Sequence, residues 1–120
     1  MIPIYRAKKI DSNEYVIGYL LPEYKGKFYL SVEWSSDFDG DTPDFVQIDI
    51  STLSIHFPDM LDSQGNKIFA SLNGDGKGGD IVEYNEKQEI IKYSNGTIET
   101  YMFRFEDLKE LSFEAVGIQE

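Results

Sequence analysis

The chain has 120 residues, 41% of them hydrophobic and 14% aromatic, which is enough to bury one core and excludes a disordered polar polymer. Its 22 acidic and 11 basic residues give a net charge of −11, which disfavours a nucleic-acid partner because phosphate backbones are also negative. There is no cysteine for disulfides or thiolate chemistry and no apolar run near the roughly 20 residues of a membrane span or a long secretory leader, so we expect a cytoplasmic protein.

The first half of the chain predicts strands separated by turns. Residues 2–10 and 14–21 form alternating or apolar runs around the turn residues Asp11, Ser12 and Asn13, which indicates a hairpin. Residues 27–34 and 45–50 alternate in the same way and predict a third and a fourth strand. Residues 51–70 show no sustained period, so we expect irregular packing there, with a helical turn near residues 58–61.

The second half predicts a meander with one helix. Residues 80–84, 88–94 and 97–105 are strand-like, and Asn95-Gly96 is a strong hairpin signal because both positions accept positive φ. Leu108 and Leu111 have helical spacing after an acidic first turn, and residues 112–118 predict a final strand. This order is typical of small SH3-like barrels. We therefore predict a mainly β fold, with an N-terminal antiparallel hairpin and sheet packed with a C-terminal SH3-like small barrel and one short helix.

The glycines at 74, 76 and 79 have the spacing G-x-G-x-x-G of a dinucleotide-binding loop. That loop requires a helix directly after it, whereas residues 80–84 predict a strand. The negative charges of Asp75 and Asp80 would also repel a bound phosphate. A Walker A loop is excluded because Lys77 precedes Gly78 rather than Ser or Thr. We interpret the segment as a turn that leads into a strand, and we expect no cofactor.

The remaining polar residues do not form a recognisable catalytic or metal-binding set. Asp37, Asp39 and Asp41 alternate like calcium ligands, but an EF-hand loop would need glycine and glutamate where Thr42 and Ile48 stand. A solvated acidic loop and a weak cation site both stay open. His56 is the single histidine, so a structural role is expected, with no catalytic residues and no enzymatic activity.

Stretches at the start, in the middle and at the end of the chain carry a resemblance that spans nearly its whole length. The opening contains Tyr5, Arg6, Glu14, Tyr15, Val16, Gly18 and Tyr19, which match the aromatic-Arg start and the later "E-W-V-Y-G-Y" of the phage YopX-like family. Residues 114–118 are similar to that family's closing "E-V-I-G-N-I". Residues 61–70 and 79–84 are similar to its "D-K-N-G-K-x-I-Y-E-G-D-I-V" at Asp62, Gly65, Lys67, Ile68, Phe69, Gly79, Asp80, Ile81 and Val82. The chain departs from the family at residues 55–58, and residues 71–78 look inserted.

The resemblance implies a single phage- or prophage-encoded domain over residues 1–120, with an N-terminal β half to about residue 57 and an SH3-like half from about residue 66. It supplies no activity and no catalytic residues. Asp62, Gly65, Lys67, Gly79 and Asp80 are then structural motif residues. We expect a protein-binding accessory module acting on a phage or host protein, the alternative being an acidic nucleic-acid mimic that inhibits a basic host protein. Self-association through edge strands such as residues 15–21 is a third hypothesis.

A thermal-shift experiment tests the interpretation of the glycine segment. We expect ATP, NAD and NADP to leave the melting temperature unchanged, because a ligand stabilises a protein only when the native state binds it. A reproducible rise of several degrees with any of the three would contradict the turn interpretation.

If residues 71–78 are an inserted surface turn, their deletion is also expected to change stability very little, since loop closure depends only weakly on loop length.

Overall fold

A computed structural model of the chain describes residues 3–32 and 45–120. The predicted end of the third strand at Trp34 and the acidic segment of residues 37–44 lie outside these ranges. In chain order the strands are β1 (Ile4–Lys9), β2 (Tyr15–Leu20), β3 (Phe28–Val32), β4 (Phe45–His56), β5 (Ala70–Ser71), β6 (Asp80–Tyr84), β7 (Lys87–Ile90), β8 (Lys92–Ser94), β9 (Thr97–Glu99) and β10 (Glu114–Ile118), with one helix, α1 (Phe105–Leu108), before β10.

The first four strands form a closed antiparallel barrel. Each strand pairs with the next, and β1 also pairs with β4, which closes the ring. Gly18 lies where β2 approaches β3 so closely that a Cβ atom would overlap the carbonyl oxygen of Ser31. Side chains that alternate inward fill the barrel with a small core of its own, made of Ala7, Leu30, Ile48 and Leu53.

Strand β4 is twice as long as the sequence pattern indicates. The prediction of irregular structure is wrong for residues 51–56, which continue the strand to His56. All five residues from Thr52 to His56 are buried, so both faces of this part of the strand are covered. The apolar–polar alternation changes phase between Ile50 and Leu53, where the pairing of β4 with β1 also shifts register. Near residues 58–61, where a helical turn is predicted, the chain makes one hydrogen-bonded turn, in which the Met60 amide donates to the Phe57 carbonyl, and no helix continues from it.

The C-terminal strands extend this sheet and add a second one. β5 pairs with β4, and β8 and β9 continue the same sheet, while β10, β6 and β7 form a separate three-stranded sheet. Ile91 divides the predicted strand of residues 88–94 between the two sheets. Asn95 and Gly96 turn the β8–β9 hairpin at φ values of 52° and 81°. A larger core lies between the sheets, around Ile68, Val82, Ile91, Leu108 and Phe113.

The prediction of a mainly β fold with a small barrel and one short helix is confirmed. The ring that closes among the described strands is the N-terminal one, and the SH3-like character of the C-terminal half stays a prediction. Strand β2 lies between β1 and β3, so the prediction that residues 15–21 offer an exposed edge is wrong. In the described residues, no helix is long and apolar enough to cross a membrane.

The close approach at Gly18 generates a stability prediction. Gly18→Ala is expected to lower the free energy of unfolding by about 1–3 kcal/mol, since the new methyl group must displace the β3 backbone. Gly74→Ala is the matched control, because a Cβ atom at Gly74 meets no other atom within 4 Å. Urea unfolding measures both variants, and equal midpoints for the two would contradict the packing argument.

Candidate functional site

A buried ion pair between Arg6 and Asp80 joins the barrel to the second sheet. An Arg6 guanidinium nitrogen, Nη2, lies 2.8 Å from Oδ1 of Asp80, and the two residues are only 8% and 4% exposed. The same nitrogen donates to the Gly78 carbonyl at 3.0 Å, while Oδ2 of Asp80 accepts the Phe69 amide at 2.8 Å. The Phe69 ring lies 4.6 Å below the guanidinium carbon. The charges are thus enclosed and matched, which is how a protein tolerates buried ions.

The part of the glycine segment directly before β6 uses its amide groups within the protein and does not offer them to an anion. The amides of Gly76, Lys77, Gly78, Gly79 and Asp80 donate respectively to Asn73, the Asp75 carboxylate, Gln119, Gly76 and Phe69. A phosphate loop needs such amides to be free and aimed at the ligand. The segment makes two successive turns and continues directly into strand β6.

The expectation that residues 71–78 are a removable surface turn is wrong. Ser71 is fully buried and its amide donates to the Ile91 carbonyl, and the Asn73 side chain donates to the Ser51 carbonyl. Gly78 has a φ of +85° and packs so closely against Thr52 that no Cβ atom fits. Only Gly74 and Asp75 are exposed. Deleting the segment would therefore remove a partner of the Arg6 guanidinium.

Asp62, Gly65 and Lys67 belong to a separate turn, which is bonded to β10. Oδ1 of Asp62 accepts the amides of Gln64 and Asn66, and Oδ2 accepts the amide of Ala115 in β10. Burial raises the pKa of Asp62, but these hydrogen bonds outweigh it and hold the pKa below 3.8. Gly65 occupies the turn at a φ of +84°, which other residues rarely adopt. The structure does not bring this turn together with Gly79 and Asp80 into one chemical site.

His56 is enclosed at the end of β4. Its Nδ1 lies 2.9 Å from the Ile68 carbonyl, and its ring packs on Phe69 at 5.3 Å between ring centres. Lys67 lies beside it at a small surface depression. The described residues contain no group of three or more histidine and acidic side chains placed to hold a metal ion.

A surface groove between the two sheets is the candidate binding site. It encloses about 630 Å³, within the roughly 300–1,000 Å³ of ligand pockets. Residues 72–74 form one wall and residues 99–101 the other, and residues of β7 and β8 line the groove between them. Tyr101 on that wall is 92% exposed, and the neighbouring Met102 is 56% exposed. A large aromatic side chain in that position is available to a partner.

Glu89 fixes the wall that carries Tyr101. Its carboxylate accepts the Tyr84 hydroxyl at 2.8 Å and the Met102 amide at 3.3 Å. Burial raises the pKa of Glu89, but hydrogen bonds, those of Tyr84 and Met102 among them, outweigh it and lower the pKa. Burial and the bond to Glu89 raise the pKa of Tyr84 to about 12. The opposite wall, residues 72–74, is held by a hydrogen bond that Nζ of Lys92 donates to the Gly74 carbonyl at 3.0 Å.

Sequence reasoning missed this groove. Residues 97–105 were expected to form one strand, yet β9 ends at Glu99 and the chain turns at Tyr101 and Met102. The sequence carries a signal here, because Tyr101, Met102 and Phe103 are consecutive apolar residues and a half-buried strand would alternate. The groove itself needs residues from three distant segments, which no local pattern reveals.

Comparison of the chain with family models, curated proteins and solved structures found no match.

The buried ion pair generates a prediction about stability. Asp80→Ala is expected to cost about 3–5 kcal/mol, because it leaves the Arg6 charge buried without its carboxylate. The double variant Arg6→Met/Asp80→Ala is expected to lose less than Asp80→Ala alone, since no unpaired charge is left. Asp59→Ala, at an exposed aspartate, is the control and should change stability by no more than about 0.5 kcal/mol. Urea unfolding measures all three, and a double variant less stable than Asp80→Ala would contradict the argument.

Proposed function

We propose that this chain is a protein-binding module, a phage- or prophage-encoded accessory protein of YopX-like type that works in the bacterial cytoplasm. The residue matches in both halves of the chain support the family assignment, and the groove supports the binding role. A partner protein would place part of its surface in the groove, against Tyr101. The C-terminal half is taken as SH3-like on the same resemblance.

The exposed Tyr101 is the observation that carries this proposal. Tyrosine is enriched among the residues that dominate protein interfaces, because it buries a large rigid surface and loses little side-chain entropy. Tyr101 follows Thr100, whose amide donates to the Phe103 carbonyl, and precedes Met102, whose amide is held by Glu89. The backbone on both sides of Tyr101 is therefore anchored in the unbound protein. Such preorganisation reduces the entropy that binding must overcome.

The nucleic-acid mimic stays the alternative proposal. It rests on the net charge of −11 and requires a row of carboxylates on one face. Asp62 and Asp80 are buried and hydrogen-bonded, so neither contributes to a surface row. No specific observation among the described residues favours the mimic over the protein-binding module.

Affinity capture from bacterial lysate with matched variants tests the proposal. Tyr101→Ser is expected to reduce capture of the partner about tenfold or more, since loss of a dominant interface residue costs about 2 kcal/mol. Tyr24→Ser removes another exposed aromatic residue, at 61% exposure, and should leave capture unchanged. Melting temperatures establish that both variants are folded. Equal capture by wild type and Tyr101→Ser, or no captured protein at all, would contradict the proposal.

A further inference from the structure

The groove runs along an edge of β7. Gln88, Glu89 and Ile90 all line it, although successive side chains of a strand point to opposite faces of the sheet. A cavity lined by three consecutive strand residues must therefore lie beside the strand. In the three-stranded sheet β7 pairs with β6 on one side, and no described strand pairs with its other side.

The hydrogen-bond pattern shows which backbone groups face the groove. The Ile91 amide donates to the Asp80 carbonyl of β6, and partners in an antiparallel ladder alternate between bonded and non-bonded pairs. Ile91, Glu89 and Lys87 thus direct their backbone groups toward β6. Gln88 and Ile90, which lie between them, direct an N–H and a C=O each away from β6, toward the groove.

We propose that the groove binds an extended peptide segment of the partner as an additional strand on β7, with a lysine or arginine among its side chains. This inference rests on the proposed protein-binding function and names the form of the ligand. The amides and carbonyls of Gln88 and Ile90 supply the main-chain hydrogen bonds of strand addition. Leu72, Ile90 and Tyr101 supply apolar walls for the side chains of the peptide.

Charge determines which peptide fits. Glu89 and Glu99 line the groove together with one lysine, Lys92, whose ammonium group is engaged by the Gly74 carbonyl. The whole chain carries a charge of −11, which attracts a basic segment and repels an acidic one. A second copy of this chain would bring the same negative charge to the edge. The occupant is therefore a basic extended segment of a different protein.

Two substitutions at Gln88 separate strand addition from other forms of binding. Gln88→Pro removes the amide that faces the groove, and proline is tolerated on an edge strand when its N–H would point away from the ladder. Gln88→Ala keeps the amide. Both variants lose the same side-chain hydrogen bond, from Nε2 of Gln88 to the Glu83 carboxylate at 3.0 Å. They differ in the backbone N–H of residue 88, which Gln88→Ala keeps and Gln88→Pro removes. Melting temperatures verify that both stay folded.

The probe is a displayed library of random seven-residue peptides selected on the full chain. We expect selected peptides to carry lysine or arginine among alternating apolar residues. Gln88→Pro should bind them about tenfold or more weakly, because a main-chain hydrogen bond is lost and the ring blocks close approach. Gln88→Ala keeps the amide and should bind them about tenfold or more tightly than Gln88→Pro does. Hydrogen exchange should slow at the Gln88 and Ile90 amides of the wild-type complex.

Several results would overturn the inference. If Gln88→Pro binds as tightly as Gln88→Ala, strand addition is wrong, and protein binding still stands where Tyr101→Ser loses the partner. Selection of acidic peptides, or of none, would overturn the basic-peptide assignment. If light scattering shows a wild-type dimer and the Gln88→Pro variant is monomeric, a second copy of this chain pairs with the edge of β7 instead of a peptide.

Discussion

One buried pair of charges constrains how the two sheets meet. Arg6 comes from the first strand of the barrel, and Asp80 begins the first strand of the second sheet, so the ion pair crosses the junction between them. The pair is sheltered from water, and each partner can stay buried only while the other is present. This requirement also constrains the glycine segment, because the Gly78 carbonyl must reach Arg6 and its backbone must fit against Thr52.

The same junction shapes the groove. Residues 72–74 leave the buried Ser71 and are held in place by Asn73 and Lys92, while the opposite wall is fixed by Glu89. Both walls are therefore built from hydrogen bonds inside the protein and exist before any partner arrives. The strand edge between them is already extended, so an added strand would have to order only itself.

Sequence reasoning succeeded where local chemistry decides the structure. Asn95 and Gly96 tolerate positive φ, and residues 80–84 alternate because only one face of β6 is deeply buried. It failed at residues 51–56, where the alternation changes phase at the irregular pairing between β4 and β1. Asp80 was identified as a structural residue, but no local pattern indicated Arg6 as its partner, since the two are 74 positions apart in the chain. The groove also combines residues 72–74 with residues between 88 and 101, so no local pattern predicts it. The only sign of it in the sequence is the run of consecutive apolar residues at 101–103.

The separation between Arg6 and Asp80 has a consequence for how the chain folds. The barrel hairpins β1–β2 and β2–β3 join neighbouring segments, and such contacts close quickly because little chain entropy is lost. The ion pair closes a loop of 74 residues and becomes favourable only when Phe69 and Gly78 are also in position. The hairpins β1–β2 and β2–β3 can thus form while the Arg6 guanidinium is still in water. Dehydration of that one side chain accompanies the long-range contacts that join the two halves of the molecule.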